Sequence, residues 1–384
     1  MRILYLSVIV LISFQLQART LQVMSYNVEN LFDAKHDVIN NIDKKDWTFL
    51  PKDAPGKKEA CLGEKNKHHR KECLASDWTD AKVDLKISQI NDVVTKERSL
   101  PDFLGLVEVE NSNVVGRLAK KLGYENFEIT ESPDERGVDV ALLYKNTKDV
   151  RKISRTEHIV PVDYATRNIL EVEFLIDEKY PLTIFVNHWP SLANPDSWRI
   201  KAAEILVKRS QEILRKNPKM AIMALGDFNT IDDNSPHPFK TVLFKDNLFT
   251  DVGQAFFEDK HIDEKTKKTM APGTYYFAPK DQWNFLDHFF VNKVLMDGKD
   301  IKLVLKSFEI YSPVFINHDL KKKFYEGEQK NIKIVVSPMR FDTEGTSKET
   351  IGYSDHYPIL VKLDYPETIV TKVRKNNKKS KVKS

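Results

Sequence analysis

Apolar residues fall in short runs broken by polar stretches, and their spacing switches between two periods. Compact apolar runs at residues 21–26 (LQVMSY), 103–107, 138–144, 169–176, 182–186, 220–225, 285–291 and 359–363 predict buried strands. Helical spacing takes over where Val83, Ile87, Ile90 and Val94 recur, again at Val114, Val115, Leu118 and Leu122, and along residues 200–214. Strands and helices mix without strict βαβ alternation, which argues against a doubly wound sheet. Residues 34–79, with Pro51, Pro55 and Gly56, are rich in charge and lack sustained periodicity, so they read as an insertion. No internal repeat is visible.

The chain starts differently. Arg2 precedes a twelve-residue, mostly apolar run, ILYLSVIVLISF, and a polar stretch ending at Ala18. This order predicts a secretory signal peptide over residues 1–18, cut before Arg19. The run is short for a membrane span, which needs about 20 residues; an uncleaved anchor is the alternative. The expected product is an exported protein, periplasmic or extracellular, with no membrane span and acting as a monomer.

Composition narrows the class. With 41% hydrophobic and 10% aromatic residues in 384, the chain can build a sizeable core, and its 30% charged residues exclude a polytopic membrane protein. Two cysteines exclude a disulfide-dense scaffold and a four-cysteine zinc module. In an oxidising compartment Cys61 and Cys73 are expected to pair, with free thiols as the alternative. His68 and His69 between them lack zinc-finger spacing. The net charge of +4 is unevenly placed: residues 366–384 hold seven Lys/Arg against one acid, or +6, which leaves the rest at −2. Apolar patterning stops after Asp364, so residues 366–384 read as a disordered basic tail. Residues 19–365 form the single expected domain.

Chemistry-bearing residues sit where the predicted strands end. Asn27 and Glu29 follow the first strand, Glu108 ends the second, and His188 follows LTIFVN. Asp227 and Asn229 follow AIMAL, Asp287 lies within WNFLDHFFV, and Asp355 and His356 precede YPILVKL. Carboxylates gathered on one rim repel unless protons or a cation compensate them. Hard divalent cations suit such oxygen ligands.

The segments SYNVENLFD, GLVEVEN, VNHWPS, LGDFNT, NFLDHFFV and YSDHYPI occur in an order that resembles the endonuclease/exonuclease/phosphatase superfamily. SYNVENLFD looks most like its secreted bacterial nuclease branch. The resemblance runs from about Gln22 to Leu363, the insertion excepted. It implies a four-layer α/β sandwich, two mixed β-sheets packed face to face with helices outside. It also implies a metal site of Glu108, Asn27, Glu29 and Asp355, holding Mg²⁺ with Mn²⁺ or Ca²⁺ as alternatives. Asp227 and Asn229 would orient water and the scissile phosphate. His356 would work on that phosphate with Asp287 fixing its tautomer. His188 lies where the pancreatic-type deoxyribonucleases carry a second histidine, and Arg136 would hold a substrate phosphate. Trp189 and Trp198 are expected to pack.

The resemblance leaves the substrate open among DNA, RNA, lipid phosphate and inositol phosphate. Six Lys/Arg against two acids over residues 57–71, together with the tail, favour a polyanion, with solvated surface charge as the alternative. The expectation is a metal-dependent DNA endonuclease of low sequence specificity with nucleic acid as its partner. An exported phospholipid or sphingomyelin phosphodiesterase or phosphatase is the second reading, and a non-catalytic polyanion-binding module the third.

Overall fold

The computed structural model describes residues 18–39, 42–147, 149–326 and 329–367. The leader run and the basic tail past Glu367 lie outside the described residues.

Two mixed sheets form the centre. The first has strands in the order Lys302–Leu303, Ile359–Pro366, Ala18–Leu31, Phe103–Val109, Asp139–Tyr144 and Asn126–Ile129, with Glu309–Ile310 also on Ile359–Pro366. The second runs Thr250–Asp251, Asp287–Val291, Ala221–Asp227, Tyr180–His188, Ile169–Ile176 and Val150–His158. Ala18–Leu31 is parallel to Phe103–Val109, and Ala221–Asp227 to Tyr180–His188. Their other ladders are antiparallel.

Period-two alternation explains the layering. In Ala221–Asp227, Ala221, Met223 and Leu225 join the core between the sheets, whereas Ile222 and Ala224 pack outward with Phe185 and Phe290. Both faces are apolar because both are covered, which is why these strands read as continuous runs. Gly105 lets the two sheets pack closely: a Cβ there would meet Leu225 Cδ1 at 2.2 Å.

Helices cover the outer faces. Asp80–Thr95 and Ser112–Leu122 bury Val83, Ile87, Ile90, Val94, Val114, Val115, Leu118 and Leu122 in the first sheet's core. Their N-caps are Thr79 and Asn111, whose side chains accept from Lys82 N and from Asn113 N and Val114 N. Asp196–Lys216 lays Ala202, Ala203, Leu206 and Ile213 on the second sheet. The result is the α/β sandwich that the sequence predicts. Among the described residues no helix is long and apolar enough to cross a membrane.

Residues 34–79 depart from their featureless pattern. They contain helices Lys57–Gly63 and Lys67–Ala75, joined by the Cys61–Cys73 disulfide. Lys57, counted above as free positive charge, is buried and donates from Nζ to Leu50 O at 2.6 Å and Ser76 O at 2.8 Å. Helices this short rest on such tertiary bonds, so periodicity leaves no trace of them. Val150–His158 also escapes pattern reading, because most of its residues are exposed. A long hairpin, Asn317–Glu326 with Gln329–Pro338, stands outside both sheets.

Candidate active site

The strand ends meet at one rim. Asp227 pairs in register with His188 on one side and Asp287 on the other, so three adjacent strands deliver three polar side chains in a row. All three share the inward phase of Leu225, Val186 and Phe289. From the first sheet Asn27 donates from Nδ2 to Glu108 Oε1 and to Asp227 Oδ2, both at 3.2 Å, which ties the two sheets together here. Its side-chain Oδ1 accepts from Glu29 N at 3.0 Å, so Asn27 meets the carboxylates as a donor.

Backbone strain gathers at this rim. Glu29, Asn30, Glu108 and Asn229 have φ of 51°, 65°, 65° and 44°. Each left-handed non-glycine residue costs about 1–3 kcal/mol, which the surrounding fold must offset. Gly226, at φ 128°, precedes Asp227, and a Cβ there would lie 2.0 Å from Asn187 O. Only glycine lets the Ala221–Asp227 strand approach its neighbour so closely.

Glu108, His188 and Asp227 each offer one ligand atom, all within 4.8 Å of one another. His188 Nε2 lies 3.8 Å from Glu108 Oε1 and 4.0 Å from Asp227 Oδ2. Burial, then Arg167, hold its pKa well below the ordinary histidine range, so the ring is neutral and free to ligate. Among the described residues its buried Nδ1 has no hydrogen-bond partner. Burial pushes Asp227 up to about 7, His356 opposes this, and Asp287 adds to it. A carboxylate pair and a neutral imidazole are a donor set that fits a divalent cation.

Beside this trio, His356 Nδ1 lies 2.7 Å from Asp287 Oδ2, and its Nε2 lies 3.9 Å from Asp227 Oδ2. Burial disfavours charge on His356, but Asp287, Asp355 and Asp227 outweigh it and raise its pKa well above the usual value. Thr274 Oγ1 accepts from Asp287 N at 3.2 Å, and Ser354 Oγ accepts from His356 N at 3.1 Å, which fixes both backbones. Asn229 donates from N to Asp227 Oδ1 at 2.8 Å and from Nδ2 to Trp189 O at 3.1 Å.

Glu29 and Asp355 are at the same rim with different partners. Arg340 Nε and Phe341 N, the latter at 2.9 Å, donate to the two oxygens of Glu29, and Arg340 also approaches Asp355 Oδ2 at 3.8 Å. Burial, then Asp355, push Glu29 up to about 8 against the pull of Arg340. Arg136 lies 3.4 Å from Asp134 and lines the cleft.

Two arginines went unnoticed in the sequence. Arg167, buried, donates to Asp134 Oδ2 at 3.2 Å and to Trp189 O at 2.6 Å. A signal existed: it precedes the strand Ile169–Ile176, which runs antiparallel to Tyr180–His188 and therefore starts at the rim where His188 ends. Arg340 carries no such signal. Trp189 packs against Phe228 and Phe239 as expected, whereas Trp198 lines the cleft.

The sequence model of the endonuclease/exonuclease/phosphatase family matches residues 22–365. No curated protein matches the chain. Among solved structures, an endonuclease/exonuclease/phosphatase family protein from Bacteroides thetaiotaomicron is similar at TM-score 0.50 and 13% identity, over 91% of this chain and 99% of that one. A humanized D. rerio TDP2 is similar at TM-score 0.50 and 13% identity, over 90% and 98%. A mannosyl-6-phosphatase from Bacteroides thetaiotaomicron reaches 0.46 and 12%, over 89% and 99%. At these identities the likeness is one of fold. With the family match spanning nearly the whole domain, the chain belongs to the endonuclease/exonuclease/phosphatase family of hydrolases.

Proposed function

We propose that the chain is an exported, divalent-metal-dependent phosphodiesterase of nucleic acids, a DNA endonuclease of low sequence specificity. The observation that carries this reading is the convergence of Glu108, His188 and Asp227 within 4.8 Å beside the His356–Asp287 pair. Glu108 and His188, beside Asp227, would hold a cation there, Mg²⁺ or alternatively Mn²⁺ or Ca²⁺, which would supply Lewis acidity for phosphoryl chemistry.

The remaining roles belong to side chains. Glu108 and the neutral His188 would ligate the cation, and Asn27 steers Glu108 and Asp227 by donating to both. Asp227, braced by Asn229, orients the attacking water and takes its proton near neutral pH. His356, charged against Asp287, donates from Nε2 to the phosphate. Arg136 and Arg167 neutralise the ester, and Glu29 anchors Arg340 beside Asp355.

Parallel digestion of supercoiled plasmid, RNA and sphingomyelin vesicles, with Mg²⁺ and then with chelator, tests this. Nicked and linear plasmid with Mg²⁺, and none after chelation, is the expected result. Intact plasmid beside cleaved sphingomyelin would replace it with the lipid reading. One observation favours that second reading: the hairpin exposes Ile332, Ile334 and Val336 on one face, and Lys322 on its other strand donates to Ala278 O by the Tyr275–Phe277 strand. Polyanion binding without turnover would leave a binding module.

A further inference from the structure

The catalytic rim opens into two clefts, of about 620 and 680 Å³, that share Glu108, Arg136, Arg167, Ser191 and Asp355. One contains the proton-handling residues His356 and Asp227, with Asn229 beside them. The other leads away from them between the insertion, represented by Lys45, Thr48 and His69, and an aromatic pair, Tyr164 and Trp198.

That pair is unusual for its surroundings. Tyr164 is 70% exposed. Its ring lies 5.9 Å from that of the half-buried Trp198, tilted by 48°. Exposing a large ring costs the fold the burial it would otherwise gain, and a position inside a catalytic cleft gives that exposure a use. Both rings stand near anchored residues. Tyr164 stands three residues before Arg167, which is tied to Asp134 and Trp189 O. Trp198 lies in the first turn of Asp196–Lys216, and its neighbour Arg199, fully buried, donates to Pro190 O at 3.1 Å and Ser191 O at 2.7 Å.

The walls suit a planar, uncharged group rather than a second phosphate. Acids along this arm are largely neutralised, Glu135 by Lys45, Asp134 by Arg136 and Arg167, and Glu29 by Arg340. Away from the shared Arg136 and Arg167, Lys45 and Arg340 are committed to these acids, and Glu64 and Glu72 add negative charge. Phosphates are best placed at the shared arginines, and what extends past them meets the rings.

Resting on the nucleic-acid reading above, we propose that Tyr164 and Trp198 form a stacking platform for an unpaired nucleobase adjoining the scissile phosphate. A base inside a duplex has both faces covered by its neighbours, whereas a splayed base offers its face to a ring. The enzyme therefore prefers single-stranded or locally unwound DNA to relaxed linear duplex.

The test compares wild type with a Tyr164→Ala/Trp198→Ala double variant on two single strands, a DNA 12-mer and a 12-mer of tetrahydrofuran abasic units, with Mg²⁺. The variant should raise KM for the base-bearing strand about 5- to 150-fold. Its kcat should stay within about twofold and its KM for the abasic strand should not change. Tyr164→Phe/Trp198→Phe should restore wild-type KM, which separates stacking from a general structural role. Unchanged KM on the DNA strand, or equal loss on both strands, would overturn the platform while leaving the nuclease reading intact. If wild type cleaves neither strand, nor plasmid, the nuclease reading falls and the platform with it.

Discussion

Two histidine–aspartate pairs sit one residue apart on the same strand. Asp287 faces inward and bonds His356 at 2.7 Å; His288 faces outward and bonds Asp251, also at 2.7 Å. Both pairs are buried, and in both the carboxylates outweigh burial and raise the histidine pKa. They differ at the second ring nitrogen. His288 Nε2 lies 2.9 Å from Phe285 O, so both nitrogens are engaged and the ring is fixed as a charged, doubly donating group among Phe228, Phe239 and Phe290. His356 Nε2 faces Asp227 and a cleft. A close His–Asp contact is therefore no mark of catalysis; an unengaged nitrogen turned toward a substrate-sized space is.

Substitutions should pull the two pairs apart. His356→Gln, which can still donate to Asp287, should lower kcat by about 10²–10⁴ with little change in thermal midpoint. Steady-state kinetics beside a melting curve checks both. His288→Ala should do the reverse. It strands Asp251 and should destabilise by about 3–5 kcal/mol, measured by denaturant titration, while kcat of the folded protein stays near wild type. If His288→Ala abolished turnover without loss of stability, the distinction drawn between the pairs would be wrong.

The disulfide comes next in size. Cys61→Ser/Cys73→Ser should cost about 3 kcal/mol, and proteolysis should report it first in residues 57–75.

Proton linkage gives the smaller effects. Because the folded pKa of His288 is raised, its contribution to stability is complete below the unfolded value of about 6.5 and is lost as pH rises through the folded one. Stability curves of His288→Phe should lose that slope. Activity should behave in the opposite sense on its acid limb. With Asp227 at about 7, turnover rises as that carboxyl ionises, and more Mg²⁺ should move the limb to lower pH. A pH–rate profile at two Mg²⁺ concentrations decides this.

Much of the rim was legible because strand patterning fixes where a polar residue must project. His188 and Asp227 end apolar strands, and Asp287 begins an antiparallel one. Once those strands are neighbours, their ends coincide. Arg340 was not legible, since it reaches Glu29 from a loop far along the chain with no fixed spacing. Neither was the donor role of Asn27, which depends on its side-chain Oδ1 being taken by Glu29 N. Trp198 misled for a related reason: its sequence neighbourhood looks like that of a packing residue, and only the position of Tyr164 across a loop shows it lining a cleft. The insertion was opaque because buried Lys57 and the disulfide, rather than a repeating apolar face, hold its helices.

Phosphodiester cleavage as proposed requires Glu108 and His188, with Asp227 beside them, to hold one divalent cation. Titrating Mn²⁺ into wild type and Glu108→Gln, followed by electron paramagnetic resonance, tests it most directly. Wild type should bind one Mn²⁺ per chain at this site, and Glu108→Gln should bind it at least about tenfold more weakly at an unchanged thermal midpoint. Equal Mn²⁺ binding by both proteins would contradict it.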